Sequence, residues 1–293
     1  MSSIRQLRSF IATAKLGSFA AAGQQIGLTA AAVGLQIRAL EQDLNRTLFD
    51  RSGRGIVLNT AGRALLAPVQ ALVDRYEALA MRDQGTALSG TLVMGALVSA
   101  LMGAFADCLW ALKRQHPLLD LTLLSGQSAD FAQRVHRGEL DAAVVTRPPM
   151  ALPGKLVWTV LYTEPMVLIV PRKAHFELPR DPLQMLAACP FMRFDRQTWT
   201  GHLVNQALDQ CGVDVRDGME LNSVEAIVAL VRQGFGVSIV PRLANVQWTR
   251  DRSLCIVPLP QVDLARQVGL LERPQHSRKR VTDAIKAYFE GRH

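Results

Sequence analysis

Ser18-Phe19-Ala20-Ala21-Ala22-Gly23-Gln24-Gln25-Ile26-Gly27-Leu28-Thr29-Ala30-Ala31-Ala32-Val33-Gly34-Leu35-Gln36-Ile37-Arg38-Ala39-Leu40-Glu41 is the stretch that decides the fold. Ser18 has the hydroxyl of an N-cap and opens a short helix that turns Phe19, Ala22 and Ile26 inward. Gly27 and Leu28 make a tight turn. Thr29 caps the next helix, where Val33, Ile37, Leu40 and Leu44 recur at 4-3-4 spacing and form its inner face. Its outer face is left with Ala31, Leu35, Arg38 and Gln42, flanked by Ala30, Gly34 and Glu41. Upstream, Leu7, Phe10, Ile11 and Ala14 mark a first helix that stops at Gly17. Downstream, residues 48–58 read as a two-stranded wing around a glycine turn that carries Arg51 and Arg54.

Three small helices and a hairpin with one outward helix face predict a winged helix-turn-helix. Its third helix has the width of the B-DNA major groove, and its first turn presents free N–H groups beside the Thr29 hydroxyl for a phosphate. Arg51 and Arg54 suit a narrow minor groove, and Arg46 and Arg63 the flanks. The plain alternative for the wing arginines is a solvated charged turn. Charge distribution agrees with a polyanionic partner: of a net +8, residues 1–63 hold eight basic and three acidic side chains.

Thr60 is expected to cap a long fourth helix ending near Met81. Leu65, Val69, Leu72, Tyr76 and Leu79 repeat along it as 4-3-4-3, a dimerisation seam, with a kink expected at Pro68. After a linker over 84–90, strands and helices alternate to the end of the chain, which predicts parallel sheet. The layout suggests two small α/β lobes with a cleft between them. Residues 84–106 lack charge over a length that would cross a bilayer, but Gly85, Gly90, Gly95 and Gly103 and a change of rhythm split the stretch into strand and helix. No membrane partner is expected. Cys108, Cys189, Cys211 and Cys255 form no CxxC pair and no secretory signal is legible, so the expected setting is reducing and cytoplasmic. The six histidines show no metal-ligand spacing; no metal site and no cofactor are expected.

The runs Arg5-Gln6-Leu7-Arg8-Ser9-Phe10, Gly17-Ser18-Phe19, Gln36-Ile37-Arg38-Ala39-Leu40-Glu41, Leu48-Phe49-Asp50-Arg51 and Thr60-Ala61-Gly62 closely resemble the LysR-type transcriptional regulators. The likeness continues through Gly90-Thr91-Leu92, Gly138-Glu139-Leu140-Asp141, Glu164-Pro165-Met166-Val167, Ser223-Val224-Glu225-Ala226-Ile227 and Gly234-Phe235-Gly236-Val237, and so spans nearly the whole chain. The resemblance implies a multidomain protein: an all-α winged helix-turn-helix head, a dimerising linker helix, and an α/β two-lobed effector domain like the periplasmic binding proteins. The corresponding boundaries are 1–59, 60–89 and 90–293, with lobe I at 90–162 and 267–293 and lobe II at 163–266. Such proteins bind double-stranded promoter DNA as homodimers or homotetramers and respond to a small-molecule effector; RNA polymerase is a candidate further partner. One departure matters. The family's polar Ser-Gln-Pro opening to the recognition helix is Thr29-Ala30-Ala31 here, and its later Ser-Arg pair is Gly34-Leu35. Thymine methyls are therefore expected on Ala30, Ala31 or Leu35, close backbone approach at Gly34, and Arg38 as the main charged contact.

By the same resemblance the effector lies between the lobes, where Ser99, Gln127, Ser128, Thr146, Arg147, Thr198, Trp199, Thr200 and Ser223 are expected to converge. Helix starts aimed into a crevice suit a carboxylate, and Leu97, Val98, Leu101 and Trp199 give apolar walls, so a small organic acid is the expected effector. The plainer readings are an N-cap for Ser99, loop hydrogen bonds for Gln127 and Ser128, and simple packing for Trp199. An enzyme is disfavoured because no nucleophile elbow, phosphate loop or acid/base set is legible, and Gly234-Phe235-Gly236 lacks a third glycine. A free-standing solute-binding module is disfavoured by the attached head.

Overall fold

The computed structural model describes residues 3–52, 55–80, 88–244, 246, 248, 251–260 and 262–291. The head is built from α1 (Ile4–Leu16), α2 (Phe19–Ile26) and α3 (Ala30–Asp43), with β1 (Phe49–Ser52) and β2 (Gly55–Leu58) as the wing. Each helix starts where a hydroxyl accepts a backbone N–H: Ser3 from Gln6, Ser18 from Ala21, Thr29 from Ala32. Gly17 and Gly27 end the first two helices at φ 63° and 70°, a conformation that a Cβ would strain. Phe10, Val33, Ile37, Leu40 and Leu48 form the centre of the head core. Ser9 Oγ donates to Gln36 Oε1 at 2.5 Å, and Glu41 Oε1 accepts from the Leu48 N–H at 2.7 Å, tying α3 to α1 and to the wing.

Helix α4 (Thr60–Ala80) runs unbroken through Pro68. Its cap is Asn59 rather than Thr60: Asn59 Oδ1 accepts from Gly62 N at 2.9 Å while Asn59 Nδ2 donates to the Thr47 carbonyl. The expected seam divides in two. Val69, together with Leu66 and Val73, is buried in the head's own core, and Leu65 packs against that core. Leu72 and Tyr76 face outward, 55% and 51% exposed, and the Leu79 side chain lies outside the described residues. Heptad spacing marked the helix's apolar positions without separating those that serve its own head from those left over.

Beyond residue 87, lobe I holds β3 (Gly90–Ala96), α5 (Val98–Met102), α6 (Ala104–Gln115), β4 (Leu119–Ser125), α7 (Ser128–His136) and β5 (Ala142–Thr146). α5 and α6 are separated at Gly103, and the described part of the uncharged stretch, from Leu88, is strand followed by helix. No helix among the described residues is long and apolar enough to cross a membrane. A single 15-residue strand, β6 (Val157–Pro171), runs through Glu164-Pro165 without a break. Lobe II adds α8 (Pro182–Ala188), β7 (Pro190–Phe194), α9 (Trp199–Cys211), β8 (Arg216–Leu221), α10 (Val224–Arg232), β9 (Ser238–Pro241) and β10 (Leu254–Val257), before β11 (Ala265–Glu272) and α11 (Lys279–Glu290) return to lobe I.

The sheet is mixed rather than all parallel. β3 pairs in parallel with β4 and β5, whereas β11 is antiparallel to both β5 and β6. The first part of β6 pairs with β11, and its last six residues pair with β9 and β10. β6 is thus common to both lobes. Separate apolar clusters, one around Leu92, Phe105 and Leu270 and one around Leu168, Phe191 and Ile239, give each lobe its own core.

Candidate DNA-reading face and interlobe cleft

On α3 the N-terminal turn and outer stripe stand free: Thr29, Ala30, Ala31, Leu35 and Arg38 are all exposed, Leu35 by 64%. Gly34 is different. It is buried, and a Cβ there would lie 3.6 Å from the Phe19 ring, so the glycine packs α3 against α2 and is not presented outward. The expectation of close DNA approach at Gly34 is corrected on that ground; helical spacing placed it at the border of the stripe, and it falls on the inner side. Arg51 belongs to β1 by its backbone, while its side chain and all of Arg54 lie outside the described residues.

Between the lobes is a cavity of about 230 Å³. Ser99, Gln127, Ser128, Thr198, Trp199, Thr200 and Ser223 all line it, as expected from their positions at helix starts. Thr198 caps α9 by accepting from Gly201 N at 2.9 Å, and Ser223 caps α10 by accepting from Ala226 N at 3.2 Å. Gln127 precedes α7. The N-termini of three helices of nine or more residues therefore open on one space, each bringing unpaired N–H groups and the positive end of its dipole.

Two expected members are elsewhere. Thr146 does not line the cavity; its Oγ1 lies 3.2 Å from Thr200 Oγ1, a buried bond joining lobe I to lobe II. Arg147 is exposed on another groove, with Nη1 donating to Gln267 Oε1 at 3.0 Å. Their adjacency in sequence hid this difference: Thr146 is the last residue of β5 and Arg147 the first beyond it, and successive residues of an extended chain point to opposite sides.

Arg266 and Glu225 were not anticipated. Arg266, on β11, is 1% exposed yet lines the cavity. Both its Nε, at 2.8 Å, and its Nη2 donate to Glu164 Oε2, while Nη1 donates to Ser99 Oγ at 3.1 Å. Glu164 and Arg266 are register partners across β6 and β11, so the pair pins the strands where they cross between the lobes. Glu225 Oε2 accepts from Ser223 Oγ at 2.6 Å, placing a carboxylate on the lobe II wall. Nearer the rim, Gln127 Nε2 donates to the Asn222 carbonyl at 3.0 Å. The cleft is thereby bridged from lobe to lobe at two places, Gln127 to Asn222 and Thr146 to Thr200. Trp199 supports both of its readings: it lines the cavity and its ring joins a lobe I cluster with Phe131, Val135 and Leu140.

A helix-turn-helix head joined through a long helix to a two-lobed domain with a polar cleft defines a DNA-binding regulator controlled by an effector. Residues 4–63 match the family model described as "Bacterial regulatory helix-turn-helix protein, lysR family", and residues 85–292 match "LysR substrate binding domain". The chain belongs to the LysR family of transcriptional regulators. Among curated relatives it is 31% identical over 276 residues to the probable RuBisCO transcriptional regulator of Cyanophora paradoxa, covering 87% of this chain and 83% of that protein. It is 25% identical to the HTH-type transcriptional regulator YfeR of Shigella flexneri, covering 97% and 92%. Among solved structures, a full-length OxyR variant from Pseudomonas aeruginosa superposes with a TM-score of 0.80 at 19% identity, covering 99% of this chain and 95% of that one. CbnR in complex with its target DNA gives 0.56 at 21% identity, covering 97% and 99%. At those identities the structures speak for the fold. Membership of that family makes the chain a transcriptional regulator.

Proposed function

We propose that the chain regulates a promoter in response to a small organic acid held in the interlobe cavity. The observation that carries this is the meeting of the α7, α9 and α10 N-termini on one space of about 230 Å³, below the ~300–1,000 Å³ of drug-sized sites and suited to a small metabolite. Glu164 neutralises Arg266, so the acid group is held chiefly by helix N–H groups and by the hydroxyls of Ser99, Ser128 and Thr200. Glu225 repels an anion from the start of α10, which directs the acid group toward α7 and α9. Binding competes with the Gln127–Asn222 bridge, changes the angle between the lobes, and so changes the spacing of the DNA heads.

On DNA, α3 enters the major groove with Thr29 on a phosphate, Ala30, Ala31 and Leu35 against thymine methyls, and Arg38 as the charged reader, while the wing with Arg51 and Arg54 takes the minor groove. Leu72 and Tyr76 form the part of α4 left for a second copy, giving a homodimer or homotetramer; contact with RNA polymerase follows if the bound complex activates. The test has two parts. Gel shifts on the gene's own upstream region should show binding that small carboxylic acids alter. Thermal unfolding of the full chain should rise with those acids; a rise with cationic or sugar ligands alone would overturn the organic-acid reading.

A further inference from the structure

A second groove of about 560 Å³ lies on the other face of β11. Arg266 points into the interlobe cavity, while its strand neighbours Ala265 and Gln267 line this groove; alternation along a strand puts the two spaces on opposite sides. Trp199 is the one residue common to both linings. The groove touches both lobes, because Arg147, Pro148 and Pro149 follow β5 in lobe I, and His202, Leu203 and Gln206 belong to α9 in lobe II. Its volume falls within the ~300–1,000 Å³ of small-molecule sites.

The chemistry of the groove is bipolar. Arg147 gives one guanidinium nitrogen to Gln267 and has further N–H donors to offer. Asp263 supplies the opposite charge, and the side chains of His202, Gln206 and Asp263 have no hydrogen bond or ion pair among the described residues. Pro148, Pro149, Leu203 and Leu264 give the same groove its apolar lining. We propose that this groove is a second ligand site, for an amino acid with an apolar side chain whose carboxylate meets Arg147 and whose ammonium meets Asp263. A plain acid loses affinity to the Asp263 charge and a plain amine to Arg147, so the pair selects the zwitterion. A ligand bridging the lobes from this side biases the same interlobe angle that the front cavity senses, and the coupling is reciprocal: each ligand changes the other's affinity by the same factor.

The test is isothermal titration of the full chain with the twenty common L-amino acids, and with 3-phenylpropanoate and phenethylamine as phenylalanine lacking one charge or the other. At least one apolar amino acid should bind. Its Kd should weaken tenfold or more in Arg147→Ala and in Asp263→Asn, both exposed positions. The two single-charge analogues should bind at least tenfold more weakly than phenylalanine. The proposal is overturned if no amino acid gives Arg147-dependent binding or if 3-phenylpropanoate binds as well as phenylalanine. Because the organic-acid reading is probed by other ligands in the front cavity, either idea can fail without the other.

Discussion

Arg38 stands among alanines and Leu35 on the outward stripe of α3, and it is the helix's only arginine. That isolation makes it separable by mutation. With Arg38 on a guanine edge, Arg38→Ala should cost about 1–3 kcal/mol of operator affinity and flatten discrimination at one base position. Binding to a set of single-base operator variants measures this, and persistent guanine preference in the mutant would remove Arg38 from that role. Arg266 offers a different experiment. Removing either member of its pair with Glu164 leaves a buried charge alone, so Arg266→Leu or Glu164→Leu should each cost about 3–5 kcal/mol in urea unfolding, and the double substitution less than the sum. Pure additivity would mean that the pair is not coupled.

Among the elements, α4 carries the clearest surplus of apolar surface. Leu72 and Tyr76 protrude while Val69 and Val73 are consumed by the head, so Leu72→Glu with Tyr76→Glu should lower the oligomeric mass in light scattering and leave the thermal stability of the head nearly unchanged. Unaltered mass would place the contact between copies elsewhere. Much of the element list was readable in advance because caps and glycine stops are local: Ser18, Thr29, Thr198 and Ser223 each accept from the backbone N–H three residues on, in the helix they open. What escaped was settled at a distance. β8 is exposed along almost its whole length, so Arg216–Leu221 shows no alternation to read, and β10 exists as a strand because the far end of β6 pairs with it. In the cleft, the residues at helix starts were legible, but Arg266 and Glu164 are 102 residues apart, and only the register of β6 with β11 brings them together.

Acid should loosen the protein through a network at the end of lobe I. Burial alone would raise the Glu272 carboxyl, but hydrogen bonds from His276, Lys286 and Thr282 outweigh it and hold the group well below the usual range. Asp283 is likewise depressed, its burial outweighed by Lys279 and Lys286. A carboxylate depressed in the folded state takes its proton first in the unfolded chain. The stability it contributes is therefore present above the unfolded value, about 4.3 for glutamate, and is lost as pH falls toward the folded value. Urea midpoints should drop between about pH 5 and about pH 3, and drop less in Glu272→Gln; an equal drop would place the acid sensitivity in other groups. Oxidation is expected to matter little at Cys189 and Cys211. Burial pushes the Cys189 and Cys211 thiols up, which depletes their reactive thiolate, so hydrogen peroxide should leave these two thiols unmodified in mass spectra of the folded chain.

The 15-residue span of β6 also governs how the gene can be cut and recombined. A fragment ending near residue 163 would keep the part of β6 that pairs with β11 but lose β11 itself, leaving bare edges on β5 and β6 open to aggregation. Chimeras that swap sensing specificity between relatives should therefore be joined ahead of Leu88, exchanging both lobes as one cassette.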